Sequence, residues 1–421
     1  MPRPRRRTRI CSEFDNGWGT TLQQRDVAQS SRHRQQEATV DNRRGKVDLN
    51  ILLTMMVQKK ASDLFITAGR APSIKVDGRI LQVSKAPLTM QQSRQYVMSV
   101  MSDVQQKEFE STRECNFAIN AKGIGRFRVS AFVQRDAVGM VMRRIETRIP
   151  TMEELRLPTV LQDLALSKRG LVIFVGATGT GKSTSLAAMI GFRNRKTSGH
   201  IISIEDPVEF IHSHEGCIIT QREVGIDTDS YDVALKNTLR QAPDVILIGE
   251  IRSRETMQHA LTFAETGHLC LSTLHANNAN QALDRIIHFF PEDQREQVFM
   301  DLSLNLRAVV AQQLIRRADG KGRRACIEVL LNSPYASELI RKGEIPKLKE
   351  LMKRSTEQGM MTFDQNLVAL YQQGEITHED ALAYADSEND VRLAIRMAQT
   401  RTSDPILGGD LDDAMALSEH H

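Results

Sequence analysis

Leu171-Val-Ile-Phe-Val-Gly-Ala-Thr-Gly-Thr-Gly-Lys-Ser-Thr184 is the stretch that decides the fold. Five apolar residues, Leu171–Val175, read as a buried strand, too short for a helix. Gly176-Ala-Thr-Gly-Thr-Gly181-Lys182-Ser183 then fits G-x-x-x-x-G-K-[ST] in full. Helical spacing follows over Thr184–Arg193. Glycines at 176, 179 and 181 let the backbone curl until successive N–H groups face one phosphate. The following helix adds its unpaired N–H donors and the positive end of its dipole. Lys182 places a point charge on the β- and γ-phosphates, and the Ser183 hydroxyl is a ligand for Mg²⁺. Gly176, Ala177, Thr178, Gly179, Thr180, Gly181, Lys182, Ser183 and Thr184 are therefore the expected phosphate loop.

Outward from this loop, short apolar runs alternate with helical segments from Leu161 to about Leu330. Leu171–Val175, Ile201–Ile204, Val245–Ile248 and His268–Thr273 are the strand candidates. That rhythm predicts a parallel sheet covered on both faces, followed by helices over 331–395. In such sheets ligands bind at the carboxyl ends of the strands. Acids stand at two of those ends, in Ile204-Glu205-Asp206-Pro207-Val208-Glu209 and in Asp244-Val-Ile-Leu-Ile-Gly249-Glu250. A phosphate loop alone only binds nucleotide, whereas hydrolysis needs a group that orients or deprotonates water. Glu209 and Glu250 are the candidates, with Glu205 and Glu250 also placed to join Ser183 around Mg²⁺. The plain alternative for each acid singly is a solvated carboxylate.

Thr266-Gly-His268-Leu-Cys-Leu-Ser-Thr273-Leu-His275 forms a third group. Histidines seven apart on a regular strand point to opposite faces, which argues against joint metal ligation and for different tasks. His268 is a candidate sensor of the γ-phosphate or of the catalytic acid; His275 stands where the strand exits. Either is equally explained as a structural residue with its hydrogen bonds satisfied.

Upstream, 47–147 reads as an α+β unit of about 100 residues. Its expected strands are Asp63–Thr67, Ser73–Asp77, Asn116–Ala121, Arg126–Gln134 and Val138–Ile145. Turns fall at Asp77-Gly78 and Gly123–Gly125, and one helix is expected around Gln91–Glu110. On the strand Arg126-Phe-Arg128, alternation puts both arginines on one face and Phe127 on the other. An arginine delivered to a γ-phosphate from another domain or subunit raises turnover by roughly 10³–10⁵; a solvated strand face is the alternative. Residues 148–160, carrying Pro150 and Pro158, read as a linker.

The chain of 421 residues is 40% hydrophobic and 26% charged, ordinary for a soluble protein. No apolar run approaches the roughly 20 residues that a spanning helix needs. The net charge of +4 belongs to the start: residues 1–46 hold ten Arg, one Lys and five acids, a balance of +6. The remainder is close to neutral and lacks the basic footprint of nucleic-acid binding. Residues 1–46 are expected to be a disordered basic extension, most simply an over-long start, and 396–421 a disordered acidic tail. The five cysteines are scattered without a Cys-x-x-Cys pair, which points to a reducing compartment.

In this order and spacing, the phosphate loop, Ile204-Glu-Asp-Pro-Val-Glu-Phe210, Ile248-Gly-Glu-Ile-Arg252 and Thr266-Gly-His…Thr-Leu-His275 resemble the secretion ATPase superfamily of type II secretion and type IV pili. The motifs look like its Walker A, Asp box, atypical Walker B and His box, and the likeness spans 47–395. Within that group the chain is most similar to the pilus-retraction ATPases of twitching motility, the PilT/PilU branch and its PilU type. It has a single PAS-like first module, lacks a tetracysteine loop, and carries the tract Gly125–Arg135 through Met142–Pro150. The resemblance implies a PAS-like α+β domain over 47–147 and a RecA-like P-loop domain with C-terminal helices over 161–395. It implies Glu209 as catalytic, Glu250 as the Walker B acid, His268 and His275 as the His-box pair, and Arg126 and Arg128 as the arginines that reach nucleotide. It further implies ATP and Mg²⁺ as cofactors and a cytoplasmic homohexamer. A PilT-type ATPase and an inner-membrane platform protein at the pilus base are the implied partners, with no membrane insertion and no nucleic acid. One departure stands out: the Ala-Ile-Arg-Asn-Lys motif of PilT is replaced by Ser333-Pro-Tyr-Ala-Ser-Glu-Leu-Ile-Arg-Lys342, which favours an accessory PilU role. Rival readings are an extension or secretion ATPase, a DNA-translocating RecA-like motor, and a non-catalytic nucleotide-binding module.

Overall fold

The computed structural model describes residues 48–403 other than Asp77, Glu146 and Thr147. The expectations for 1–46, for the turn residue Asp77 and for the tail past Ser403 lie outside the described residues. Residues 396–403, expected to be disordered, instead continue the helix Glu388–Ser403. By its contacts the chain divides after Leu52, within the helix Leu49–Gln58. Both sheets belong to the second unit, Leu53–His421. The fold is α/β with two sheets.

The first sheet holds β1 (Asp63–Ile66), β2 (Ser73–Val76), β3 (Arg79–Gln82), β4 (Glu114–Ala121), β5 (Gly125–Gln134) and β6 (Ala137–Ile145), in the order β3-β2-β1-β6-β5-β4. All its pairings are antiparallel. On β5, Phe127, Val129 and Ala131 are buried while Arg126, Arg128 and Ser130 take the other face, the alternation of a half-covered strand. The helix Met90–Met98 packs on β6, and its Ser93 hydroxyl donates to the Val138 carbonyl. The single helix expected around 91–110 is two, Met90–Met98 and Asp103–Thr112. The chain restarts because Ser102 and Gln105 form a reciprocal capping box, which satisfies the N–H groups of a new helix start. The strand β3 escaped prediction because its two apolar residues, Ile80 and Leu81, are adjacent and exposed, so its four residues show no alternation.

The second sheet holds β7 (Gly170–Val175), β8 (Gly199–Glu205), β9 (Cys217–Glu223), β10 (Val245–Ile248), β11 (Leu269–Leu274), β12 (Leu306–Arg316) and β13 (Arg323–Leu331), in the order β13-β12-β7-β11-β10-β8-β9. It corrects the all-parallel expectation: β13 runs antiparallel to β12, and the other pairings are parallel. Each face carries its own core. Leu171, Ile173 and Val175 join one, with the helices Arg254–Glu265 and Ala279–His288, while Val172 and Phe174 join the other, with the helix Lys182–Lys196. Burial on both faces explains why β7, β10 and β11 read as unbroken apolar runs.

Glu328 on β13 is buried beneath the C-terminal helices. Its Oε1 accepts from the Ala279 N–H at 2.9 Å, at the start of the helix Ala279–His288. Burial raises its pKa from the ordinary 4.5 to about 7, with Asp386 adding repulsion and Lys349 opposing it. The folded protein therefore holds this proton more tightly than the unfolded chain does. The stability that Glu328 contributes is full below about pH 4.5, falls as pH rises to about 7 and is lost beyond. Replacing Glu328 by Gln is expected to reduce the drop in denaturation midpoint between pH 5 and pH 7.5; identical pH dependence in both proteins would contradict this account.

Candidate functional site

The phosphate loop leaves the carboxyl end of β7 and runs into the helix Lys182–Lys196. Two of its glycines are required by space. A Cβ on Gly176 would lie 2.5 Å from the Gln312 carbonyl oxygen, and one on Gly181 would lie 2.8 Å from Gln312 Nε2; both residues have positive φ. Ala177, Thr178 and Gly179 form the exposed rim of the loop. Lys182 is buried, and its Nζ donates to the carbonyls of Gly176 at 2.7 Å and Ala177 at 2.9 Å. Burial lowers its pKa, and the charges of Glu250 and Glu209 partly offset that. The loop lysine and the two candidate acids thus share one electrostatic neighbourhood.

Gln312 on β12 clamps the loop, a role the sequence reading missed. Its Nε2 donates to the Thr180 carbonyl at 2.7 Å, and its Oε1 accepts from the Ser185 hydroxyl at 2.8 Å. The available signal was a glutamine inside the apolar run Val309–Ile315, where a buried polar group needs partners.

The strand ends supply the acids. Glu205 ends β8 and, with Ser183, His212, Gly249 and Thr273, lines a cavity of about 30 Å³. Burial raises the Glu205 pKa to about 7, against a hydrogen bond from Gln221 that lowers it. Glu250 follows β10 and is held at both oxygens. His275 Nε2 lies 3.0 Å from Oε1, and Arg252 reaches Oε2 at 2.8 Å. Gly249 before it has no room for a side chain, since a Cβ would meet Tyr231 Oη at 2.9 Å and Glu205 Cα at 3.0 Å. Glu209, on the loop after β8, lines a larger cavity of about 530 Å³ together with Thr184, Arg128, Arg143 and Phe210. Gln221 on β9 ties that loop down: its Nε2 donates to the Phe210 carbonyl at 2.9 Å, and its Oε1 accepts from the His212 N–H at 2.9 Å.

The two arginines part company. Arg128 lines the cavity with Glu209 and lies 4.0 Å from Glu223; Arg126, on the same strand face, is two residues nearer the start of β5. The histidines separate further. His275 is at the carboxyl end of β11, against Glu250. His268 precedes β11, so six residues of extended strand, about 20 Å, lie between it and the phosphate loop's edge of the sheet. It lines a different cavity with Lys168, Arg193 and Asp244. Within one protomer His268 therefore cannot touch the γ-phosphate or Glu250, a correction to the sensor expectation. The histidines differ in surroundings because they occupy opposite ends of the strand, not opposite faces.

A strand-borne phosphate loop, a clamped lysine and carboxylates on adjoining strand ends define a P-loop nucleoside triphosphatase. The chain belongs to the family described as Type II/IV secretion system protein, which it matches over residues 41–405. It is 70% identical over 353 residues to the type IV pilus ATPase PilU of Pseudomonas aeruginosa, covering 84% of this chain and 92% of that one. The type IV pilus retraction ATPase PilT of the same organism is 39% identical, covering 80% and 97%. The crystal structure of the pilus retraction motor PilT with bound ADP superposes with a TM-score of 0.78 at 36% identity, covering 83% of this chain and all of that one.

Replacing Gln312 by Leu strands the Thr180 carbonyl and the Ser185 hydroxyl, a cost of about 1–3 kcal/mol for unsatisfied buried groups. Affinity for a fluorescent ADP is expected to weaken about tenfold, and unchanged titration curves would remove Gln312 from the site.

Proposed function

We propose that this chain is the ATP-hydrolysing subunit of a homohexameric motor that helps withdraw type IV pili during twitching motility, in the accessory role of the PilU type. The observation that carries the reading is the placement of the Lys182 loop, Glu205 and Glu250 at the carboxyl ends of parallel strands, with Glu209 lining a cavity beside Thr184. The relatives' activities favour the retraction branch, and the replaced segment Ser333–Lys342, here the capped helix Pro334–Arg341, favours the PilU type within it. In this reading the first sheet with its helices is the PAS-like domain over 47–147, 148–160 is the linker, and the second sheet is RecA-like.

The backbone N–H groups of Gly176–Thr184 receive the phosphates of ATP. Lys182 gives up its loop carbonyls for the β- and γ-phosphate oxygens. Mg²⁺ suits the small cavity that Ser183 and Glu205 line, since it characteristically takes one or two carboxylates plus phosphate oxygens. Ser183 and Glu205 would hold it, with Glu250 near, and bound Mg²⁺ neutralises the phosphates. Glu250, fixed by His275 and Arg252, orients water for in-line attack, and Glu209 accepts its proton. Arg128 then supplies positive charge to the γ-phosphate across the larger cavity, with Arg126 beside it. Losing that phosphate removes what draws the arginine-bearing sheet in.

Around a ring, this cycle drives an inner-membrane platform protein alongside a PilT-type ATPase. The placement is peripheral, at the cytoplasmic face; among the described residues no helix is long and apolar enough to cross a membrane. Lys182→Ala is expected to reduce phosphate release at least 10²-fold, and Glu209→Gln comparably while ADP binding persists. Native-rate hydrolysis by Lys182→Ala protein would refute the site. In cells, deletion should leave pili assembled but impair twitching, whereas loss of pili would favour an extension motor.

A further inference from the structure

Glu223 ends β9 beside Glu205, its register partner on β8. Its backbone is pinned on both sides: its N–H donates to Asp227 Oδ2 at 2.9 Å, and its carbonyl accepts from Asp227 N at 2.8 Å. The side chain is 1% exposed, so its direction is set. One oxygen, Oε2, accepts from the Val208 N–H at 3.2 Å, the residue before Glu209. Among the described residues the other, Oε1, is buried without a hydrogen-bond partner. Arg128 Nη2, on β5 of the other sheet, lies 4.0 Å from it. Burying a carboxylate with half its acceptor capacity unused is costly, so Oε1 draws on whatever cation can approach. The Arg128 side chain is about one-third exposed and lines the cavity with Glu209.

From this arrangement we infer that Glu223 is the resting counter-ion of Arg128, a positioning residue that competes with the γ-phosphate for the same guanidinium. The inference rests on the reading of Arg128 as the arginine that reaches nucleotide. The two oxygens of Glu223 have separate tasks: Oε2 fixes the loop that carries Glu209, and Oε1 holds the arginine when no γ-phosphate claims it. A triphosphate must therefore displace a buried carboxylate to win Arg128, while a diphosphate leaves the pair alone. Glu223 makes closure selective for ATP over ADP and returns the arginine to one place after each hydrolysis. The competing charges around Arg128 are Glu209 and Asp63 with its partner Arg143 at 2.8 Å, together with Arg144, and all of them line the same cavity.

The test uses the full chain and compares ADP with the slowly hydrolysed β,γ-imido analogue of ATP. Glu223→Gln keeps an acceptor for Val208 N–H and removes only the charge. It is expected to tighten the analogue about fivefold or more, to leave ADP affinity within twofold, and to slow the release of products. That gain should vanish when Arg128→Ala is added, and Glu223→Asp should restore the native ratio in part. Equal changes for ADP and analogue would show a purely structural role and overturn the inference. So would a gain that persists without Arg128. If Arg128→Ala alone leaves analogue affinity and turnover untouched, the reading of Arg128 fails and the counter-ion role falls with it. If Arg128→Ala is damaging but Glu223→Gln is silent, only the counter-ion role fails.

Discussion

The ammonium of Lys182 has to be kept charged in a buried place, and the architecture around it follows from that demand. Burial works against the charge, and two loop carbonyls with two carboxylates work for it. The carbonyls are available only because Gly176 and Gly181 let the loop fold back onto itself against Gln312. The carboxylates are available only because β7, β8 and β10 run parallel and end together, so that Glu250 and the loop bearing Glu209 follow strand ends at the edge from which the phosphate loop departs. Gly249 completes the constraint: with Glu205 Cα at 3.0 Å from where its Cβ would be, any larger residue pushes two strand ends apart.

Legibility in the sequence tracked locality. The loop, the apolar strands β7, β10 and β11 and the strand-end acids were readable because their physics is contained in a few neighbouring residues. Antiparallel β12 and β13 were not, because nothing near Leu306 announces a partner at Leu330. Gln312 and Ser185 are 127 positions apart, and a glutamine in an apolar run does not say which hydroxyl it meets. β9 hid for another reason. As the outer strand of its sheet it alternates buried with part-exposed residues, and Cys217-Ile-Ile-Thr-Gln-Arg-Glu223 reads as loop as easily as strand. Yet that edge strand carries both Gln221 and Glu223, which hold the loop of Glu209 in place.

The histidines show how a correct period can lead to an incomplete argument. Seven positions imply opposite faces only if both residues lie inside the strand. β11 begins after His268 and ends before His275. The strand therefore acts as a spacer, delivering His275 to Glu250 and leaving His268 beside Lys168, Arg193 and Asp244.

Thermodynamic linkage turns the contact between Arg128 and Glu223 into a statement about work. If a γ-phosphate draws Arg128 from Glu223, then the factor by which ATP favours the drawn state is also the factor by which the drawn state tightens ATP. A nucleotide shifts such an equilibrium only by its differential affinity for the two arrangements. A partnerless arginine would leave the open state poorly defined, and hydrolysis would release it into many positions. A fixed carboxylate gives the open state its own energy minimum, so that loss of the phosphate moves the arginine between two definite sites. Mechanical directionality needs that second minimum as much as it needs the first.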